Sequence, residues 1–196
     1  MAIEPSAARL QEAMERLGET VPDRREDLSA LPPPIVIGER IRSIAGVANA
    51  LTRDLVVFNA SARRIAWALL RVAELVLADM DRRRMVEDDR PALALAMWRR
   101  CCLDAPGASM LDVTNSLDEA VKAAAGRESW IEANGYQTLS DIAYAARSMI
   151  YKRGSAEAFV RASNKAAKAL QREDEPAEAA KAQVFTVLVE ALAEVG

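Results

Sequence analysis

The helical spacing of apolar residues is the feature that most constrains the fold of this chain. Ile65, Leu69, Val72, Val76 and Met80 recur three or four residues apart, which places them on one face of an α-helix. Similar spacing recurs along most of the chain, and no stretch alternates apolar and polar residues as a half-buried strand would. We therefore predict an all-α fold of about seven to eight helices, arranged as a multi-helix bundle or a stack of helical hairpins.

Composition predicts a core made of aliphatic and small side chains. Hydrophobic residues make up 51% of the 196 residues, but aromatic residues only 5%. The core must therefore be built from alanine, leucine, valine, isoleucine and methionine, and alanine-lined faces let helices approach closely. The formal net charge of −3 argues against a general nucleic-acid binder, which usually carries a basic excess. It leaves room for a local basic patch.

Proline and glycine divide the chain into two unequal parts. Residues 1–37 hold a short apolar stripe that ends at Gly18, a charged run at residues 23–27 and the triple proline Pro32–Pro34. Triple proline favours an extended polyproline spacer, so we predict an N-terminal arm and linker over 1–37. Residues 38–196 are predicted to form a single all-helical domain.

Capping residues predict where the main helices begin and end. Asp89 is the predicted N-cap of a helix with Pro91 in its first turn, where the missing N–H of proline costs nothing. Ser116 and Glu119 have the spacing of a capping box, which predicts a helix from there to about residue 134. Asn134 and Gly135 then form a stop signal. Ser61 and Ser155 are further predicted N-caps.

The residues that most catalytic sites require are missing from this chain. It contains no histidine, which removes the usual Ser-His-Asp and Cys-His arrangements and the Glu-x-x-His pairs of di-iron bundles. Its two cysteines, Cys101 and Cys102, are adjacent, which suits neither a zinc site nor a stabilising disulfide. We expect no catalytic residues, no cofactor and no metal. No secretory signal or membrane-spanning stretch is visible in the sequence, so a cytoplasmic location is expected.

Arginine clusters and an acidic run are the candidate partner-binding residues. Arginine binds carboxylates and phosphates through paired hydrogen bonds, so exposed clusters favour an acidic partner. Solvated helix ends and ion pairs within the chain are the alternative. The acidic run precedes a helix, where it would complement the helix dipole or contact a metal or ligand. The candidates are Arg63, Arg64, Arg82, Arg83, Arg84, Asp88, Asp89, Arg90, Arg99 and Arg100.

One segment resembles a known family. It comprises Ala66-Trp67-Ala68, the run from Val72 to Leu77, Asp88-Asp89-Arg90-Pro91, and then Ala92, Ala94, Ala96 and Trp98. Its order of a Trp-Ala helix, an Asp-Arg-Pro turn and an alanine-rich helix is similar to that of the helical immunity proteins of bacterial polymorphic toxin systems. The resemblance implies a cytoplasmic protein that binds and neutralises a toxin and has no catalysis of its own.

Three classes of function are compatible with the sequence. The first is a non-catalytic protein–protein interaction module: an immunity-type protein, an adaptor or a phage or virion assembly component. A homodimer is expected for this class, because symmetric dimers are the commonest oligomers. The second is a small-ligand binder or enzyme that uses Asp88, Asp89, Arg90 and Arg99 or Arg100. The third is a nucleic-acid-associated protein, which the shortage of aromatic residues near the arginines disfavours.

Overall fold

The computed structural model describes residues 62–103, 105–151, 156–172 and 175–194. These residues form six helices and no strand, so the described part of the fold is all-α. The helices are α1 Ala62–Arg82, α2 Arg90–Cys102, α3 Met110–Gly126, α4 Trp130–Ile150, α5 Ala156–Leu170 and α6 Ala177–Glu194. The predicted arm over 1–37, the start of the predicted domain and the Ser61 and Ser155 caps lie outside the described residues. The total of seven to eight helices therefore stays a prediction.

Helix α1 lies at the centre of this arrangement. It packs against α2, α4, α5 and α6, and α4 in turn packs against α3 and α5. The apolar face read from the sequence is the buried one, since Ile65, Leu69, Val72, Val76 and Met80 all belong to the core. Alanines fill much of the remaining interface, which allows this close approach of helix axes. Among the described residues, no helix combines the length and the hydropathy needed to cross a membrane.

The predicted capping box at Ser116 and Glu119 is wrong. Helix α3 begins earlier, at Met110, because the Ser109 hydroxyl oxygen accepts a hydrogen bond of 3.2 Å from the Leu111 N–H and caps the first turn. Ser116 therefore lies inside a helix that has already started. The same helix ends at Gly126, so the single helix predicted from 116 to 134 is divided between α3 and α4.

The predicted stop at Asn134 and Gly135 is also wrong, because both residues lie inside α4. Gly135 is buried, and a methyl group built at its Cα would overlap the Cε atom of Met80 and lie 2.6 Å from its Sδ atom. The glycine therefore leaves room on α4 for the Met80 side chain of α1. It does not serve a turn.

Candidate functional site

A groove of about 640 Å³ lies between α1 and α2 and is closed at one end by the loop that joins them. We call it the acidic groove. Its floor is apolar and its rim carries four carboxylates, a pattern typical of a surface that binds another molecule. The lining residues are Glu74, Leu77, Ala78, Asp81, Val86, Asp88, Asp89, Ala92, Leu95, Ala96 and Arg99.

Asp88 is the carboxylate that shapes the closed end of this groove. It accepts hydrogen bonds from the Arg90 backbone N–H at 2.9 Å and from the Arg90 guanidinium Nε and Nη2 atoms at 2.9 and 2.5 Å. The hydrogen bonds from the Arg90 side chain lower the pKa of Asp88 despite its partial burial. Asp88 therefore caps α2 with its side chain, whereas Asp89, the predicted cap, occupies the N-cap position without making that bond.

Glu74 and Arg99 form an ion pair across the groove, from α1 to α2. Glu74 also pairs with Arg71 one turn earlier on its own helix, at 2.6 Å. Arg100 does not line the groove, and its Nη2 atom donates a hydrogen bond of 3.1 Å to the Pro106 carbonyl oxygen, beyond the end of α2. The cluster Arg99–Arg100 thus divides between the groove and the end of α2.

Asp81 and Asp89 carry the groove's unbalanced charge. Both side chains are exposed, and within the described part of the chain no ion pair or side-chain hydrogen bond compensates them. The other two rim carboxylates pair with arginines, Asp88 with Arg90 and Glu74 with both Arg99 and Arg71. The electrostatic character left to a partner is therefore negative, opposite in sign to that of the predicted arginine surface.

Glu132 of α4 holds the loop wall of the groove in place. Its side chain is only 2% exposed, and its Oε1 atom accepts hydrogen bonds from the Glu87 backbone N–H at 3.1 Å and from the Tyr136 hydroxyl at 2.6 Å. Its Oε2 atom accepts from the Arg127 guanidinium at 2.9 Å. Burial raises the pKa of Glu132, but these hydrogen bonds outweigh it and hold the pKa below the ordinary value.

The anchoring role of Glu132 could not be predicted from the sequence. The one local signal is the spacing of four residues between Glu132 and Tyr136, which puts both on one helical face. Nothing in that spacing indicates a bond to the distant residue Glu87.

The arginines at the end of α1 lie around a different carboxylate. Asp79, 4% exposed, pairs with Arg82 at 3.1 Å and with Arg83 at 2.7 Å. Arg84 is exposed and lies in the left-handed backbone region, with φ of 56°. Arg63 and Arg64 occupy the first turn of α1, and their side chains lie outside the described set. The structure thus brings together Asp88, Asp89, Arg90 and Arg99, and separates them from Arg82 and Arg83.

Cys101, the first of the two adjacent cysteines, lies half-buried at the end of α2. Burial raises the pKa of the Cys101 thiol, which disfavours the reactive thiolate. Among the residues that the structure describes, no three cysteine, aspartate or glutamate side chains are placed to hold a metal ion.

No protein-family model, curated protein or solved structure matches the chain. The segment with the predicted resemblance to immunity proteins is residues 66–98. In the structure this segment forms most of α1, the connecting loop and most of α2. It therefore supplies both walls of the acidic groove.

Proposed function

We propose that this chain is a non-catalytic protein–protein interaction module that uses the acidic groove to bind a cationic segment of a partner protein. The observation that carries the proposal is an apolar floor enclosed by two uncompensated carboxylates, Asp81 and Asp89. Apolar burial supplies affinity, and complementary charge speeds association and selects the partner.

The outer face of α2 extends this apolar surface. Leu93 is 64% exposed, and it lies one helical turn from Ala96 at the groove. A large apolar side chain that is left in water beside a groove favours a binding surface. The partner suited to this surface offers one or two apolar side chains for the floor and lysine or arginine for the rim.

Toxin neutralisation of the immunity type is the most specific form of this proposal. Its support is that the segment resembling immunity proteins coincides with the walls of the groove. An adaptor or a virion assembly protein would use the same surface, and so would a second copy of this chain in a homodimer. These forms differ in the partner and share the chemistry of binding.

A small-ligand site is the second candidate, because the groove volume falls within the range of about 300–1,000 Å³ typical of ligand pockets. Asp88, Asp89 and Arg99 line it, as the ligand-binding hypothesis requires. The rim of the groove is nevertheless negative overall, because Asp81 and Asp89 have no cationic partner among the described residues, and this charge disfavours an anionic ligand. Thermal-shift measurements with magnesium, nucleotides and polyprenyl phosphates test this candidate, and a shift that Asp89→Asn abolishes would favour it over protein binding.

The protein-binding proposal is tested by site-specific photo-crosslinking in a lysate of the source organism. A crosslinker at position 96 lies in the groove, and one at the exposed Lys122 on α3 serves as the matched control. We expect a defined partner, identified by mass spectrometry, to be captured from position 96 and not from position 122.

Charge reversal then tests whether the groove itself makes the contact. Asp81→Lys combined with Asp89→Lys should abolish the crosslink, whereas Asp112→Lys, an exposed aspartate on α3, should leave it intact. Equal capture from both crosslinker positions, or capture that survives the double reversal, would refute the role assigned to the groove. A crosslink between two copies of this chain would show that the partner is a second copy and that the chain forms a homodimer.

A further inference from the structure

A second concavity, of about 530 Å³, lies where the end of α1 meets α4 and α5. We call it the basic cleft. Asp79 lines the cleft and Asp81 lines the acidic groove, so the last turn of α1 separates the two. The residues that line the cleft are Asp79, Met80, Arg83, Met85, Ile131, Asn134, Gly135, Gln137, Thr138, Asp141, Lys165, Lys168 and Ala169.

One buried carboxylate holds three guanidinium groups at this cleft. Asp79 pairs with Arg82 and Arg83, and the Arg172 Nη2 atom lies 3.7 Å from its Oδ1 atom. Arg83 also donates a hydrogen bond of 3.4 Å to the Leu170 carbonyl oxygen. The three arginine side chains are partly exposed, so Asp79 orients them from behind while donor groups still face solvent.

The opposite wall of the cleft adds further positive charge. Lys165 of α5 forms an ion pair with Asp141 of α4. Lys168, one turn further along α5, is exposed, and no carboxylate among the described residues pairs with it. The lining of the cleft therefore holds three cations, Arg83, Lys165 and Lys168, against two carboxylates, Asp79 and Asp141. Arg82 and Arg172, which also pair with Asp79, add positive charge beside it.

We propose that the basic cleft binds a small organic anion that carries at least two negative charges on phosphate or carboxylate groups. Arg83 and Lys168 contact these groups, since guanidinium and ammonium groups are the side chains that bind such oxyanions most strongly. Ile131, 70% exposed at the edge of the cleft, offers an apolar contact for the organic part. This site is independent of the partner proposed for the acidic groove.

The probes for the test are pyrophosphate and citrate, titrated by isothermal calorimetry at constant ionic strength, with sodium chloride as the control. We expect one site per chain for at least one of the two anions. Binding of pyrophosphate alone would identify the ligand as a phosphate compound, and binding of both would show that charge is sufficient. A response that follows ionic strength only would overturn the proposal.

Two substitutions with opposite expected effects locate the site. Lys168→Gln should weaken binding roughly tenfold because a charged hydrogen bond is lost, and Lys122→Gln, on α3, should leave it unchanged. Asp141→Asn should strengthen binding because it releases Lys165 from its ion pair. Equal affinities in all three variants would place the anion elsewhere and refute the assignment. A single-stranded oligonucleotide that displaces pyrophosphate and binds more tightly would instead assign the cleft to nucleic acid.

Discussion

Glu132 stabilises the fold and also fixes the loop that closes the acidic groove, so substituting it tests both roles. Glu132→Ala removes the acceptor of three hydrogen bonds. Two of the donors, the buried Tyr136 hydroxyl and the Glu87 N–H, then lose their partner. An unsatisfied buried polar group costs about 1–3 kcal/mol, so we expect a loss of about 3 kcal/mol in the free energy of unfolding.

Thermal unfolding followed by circular dichroism measures this loss. For a chain of this size 1 kcal/mol corresponds to about 2–4 °C, so Tm should fall by roughly 6–12 °C. Glu132→Gln keeps the side-chain volume and one acceptor oxygen, and it should lose about half as much. Glu119→Ala, at an exposed position of α3, should leave Tm nearly unchanged.

Hydrogen exchange and pH dependence separate this mechanism from general destabilisation. The Glu87 amide should exchange faster in Glu132→Ala, because its acceptor is gone. The pKa of Glu132 is lower in the folded chain than its ordinary value of 4.5. Its charge therefore stabilises the fold above about pH 4.5, and this stabilisation is lost as the pH falls through the folded value.

The Tm difference between the wild type and Glu132→Gln should consequently be full at pH 7 and shrink below about pH 4.5. A difference that persists unchanged at pH 3 would refute the assigned role of the charge. A Glu132→Ala variant with the same Tm as Glu119→Ala would also refute the assigned role of Glu132.

The remaining predictions concern substitutions that introduce or remove a glycine. Glu128 occupies a left-handed conformation at the end of α3, with φ of 58°, so Glu128→Gly should relieve strain, remove a negative charge from a helix C-terminus and raise stability by about 1 kcal/mol. Arg84→Gly relieves similar strain but loses a favourable positive charge, so a larger gain in Tm than for Glu128→Gly would contradict this reasoning. Gly135→Ala forces the flexible Met80 thioether to move, which offsets the roughly 1 kcal/mol that alanine gains over glycine inside a helix, so its Tm should stay at or below that of the wild type. Gly126→Ala, which meets open space, should not lower it, and equal effects of the two alanines would refute the packing argument.

Helix positions that depend on apolar spacing could be predicted from the sequence, and helix ends that depend on tertiary contacts could not. The stripe from Ile65 to Met80 predicts the course of α1, and Asp89 with Pro91 in the first turn predicts the start of α2. The end of α3 could not be predicted because the left-handed residue that follows a helix is usually glycine, and here it is Glu128. There the Ser129 N–H bonds to the Ala124 carbonyl oxygen, which completes the helix end without a sequence signal.

At the candidate site, the position of a charged residue could be predicted from local sequence, but its ion-pair partner could not. The acidic run at Asp88 and Asp89 could be placed beside a helix start, and it does line the groove. The ion-pair partner of Arg99 could not be predicted, because that partner is distant in the sequence. Arg99 reaches Glu74 across 25 positions, and no local pattern reports such a pair.

The last turn of α1 explains why the overall charge gives little indication of either surface. Successive helical residues turn by about 100°, so Asp79 and Asp81 point about 200° apart around the helix axis. One therefore faces the interior beside α4 and α5, where it gathers arginines, and the other faces the groove beside α2. Two surfaces of opposite sign result within one helical turn, and the net charge of −3 averages over them. A composition argument can therefore disfavour a uniformly basic protein, but it carries no information on a molecule whose binding surfaces differ in sign.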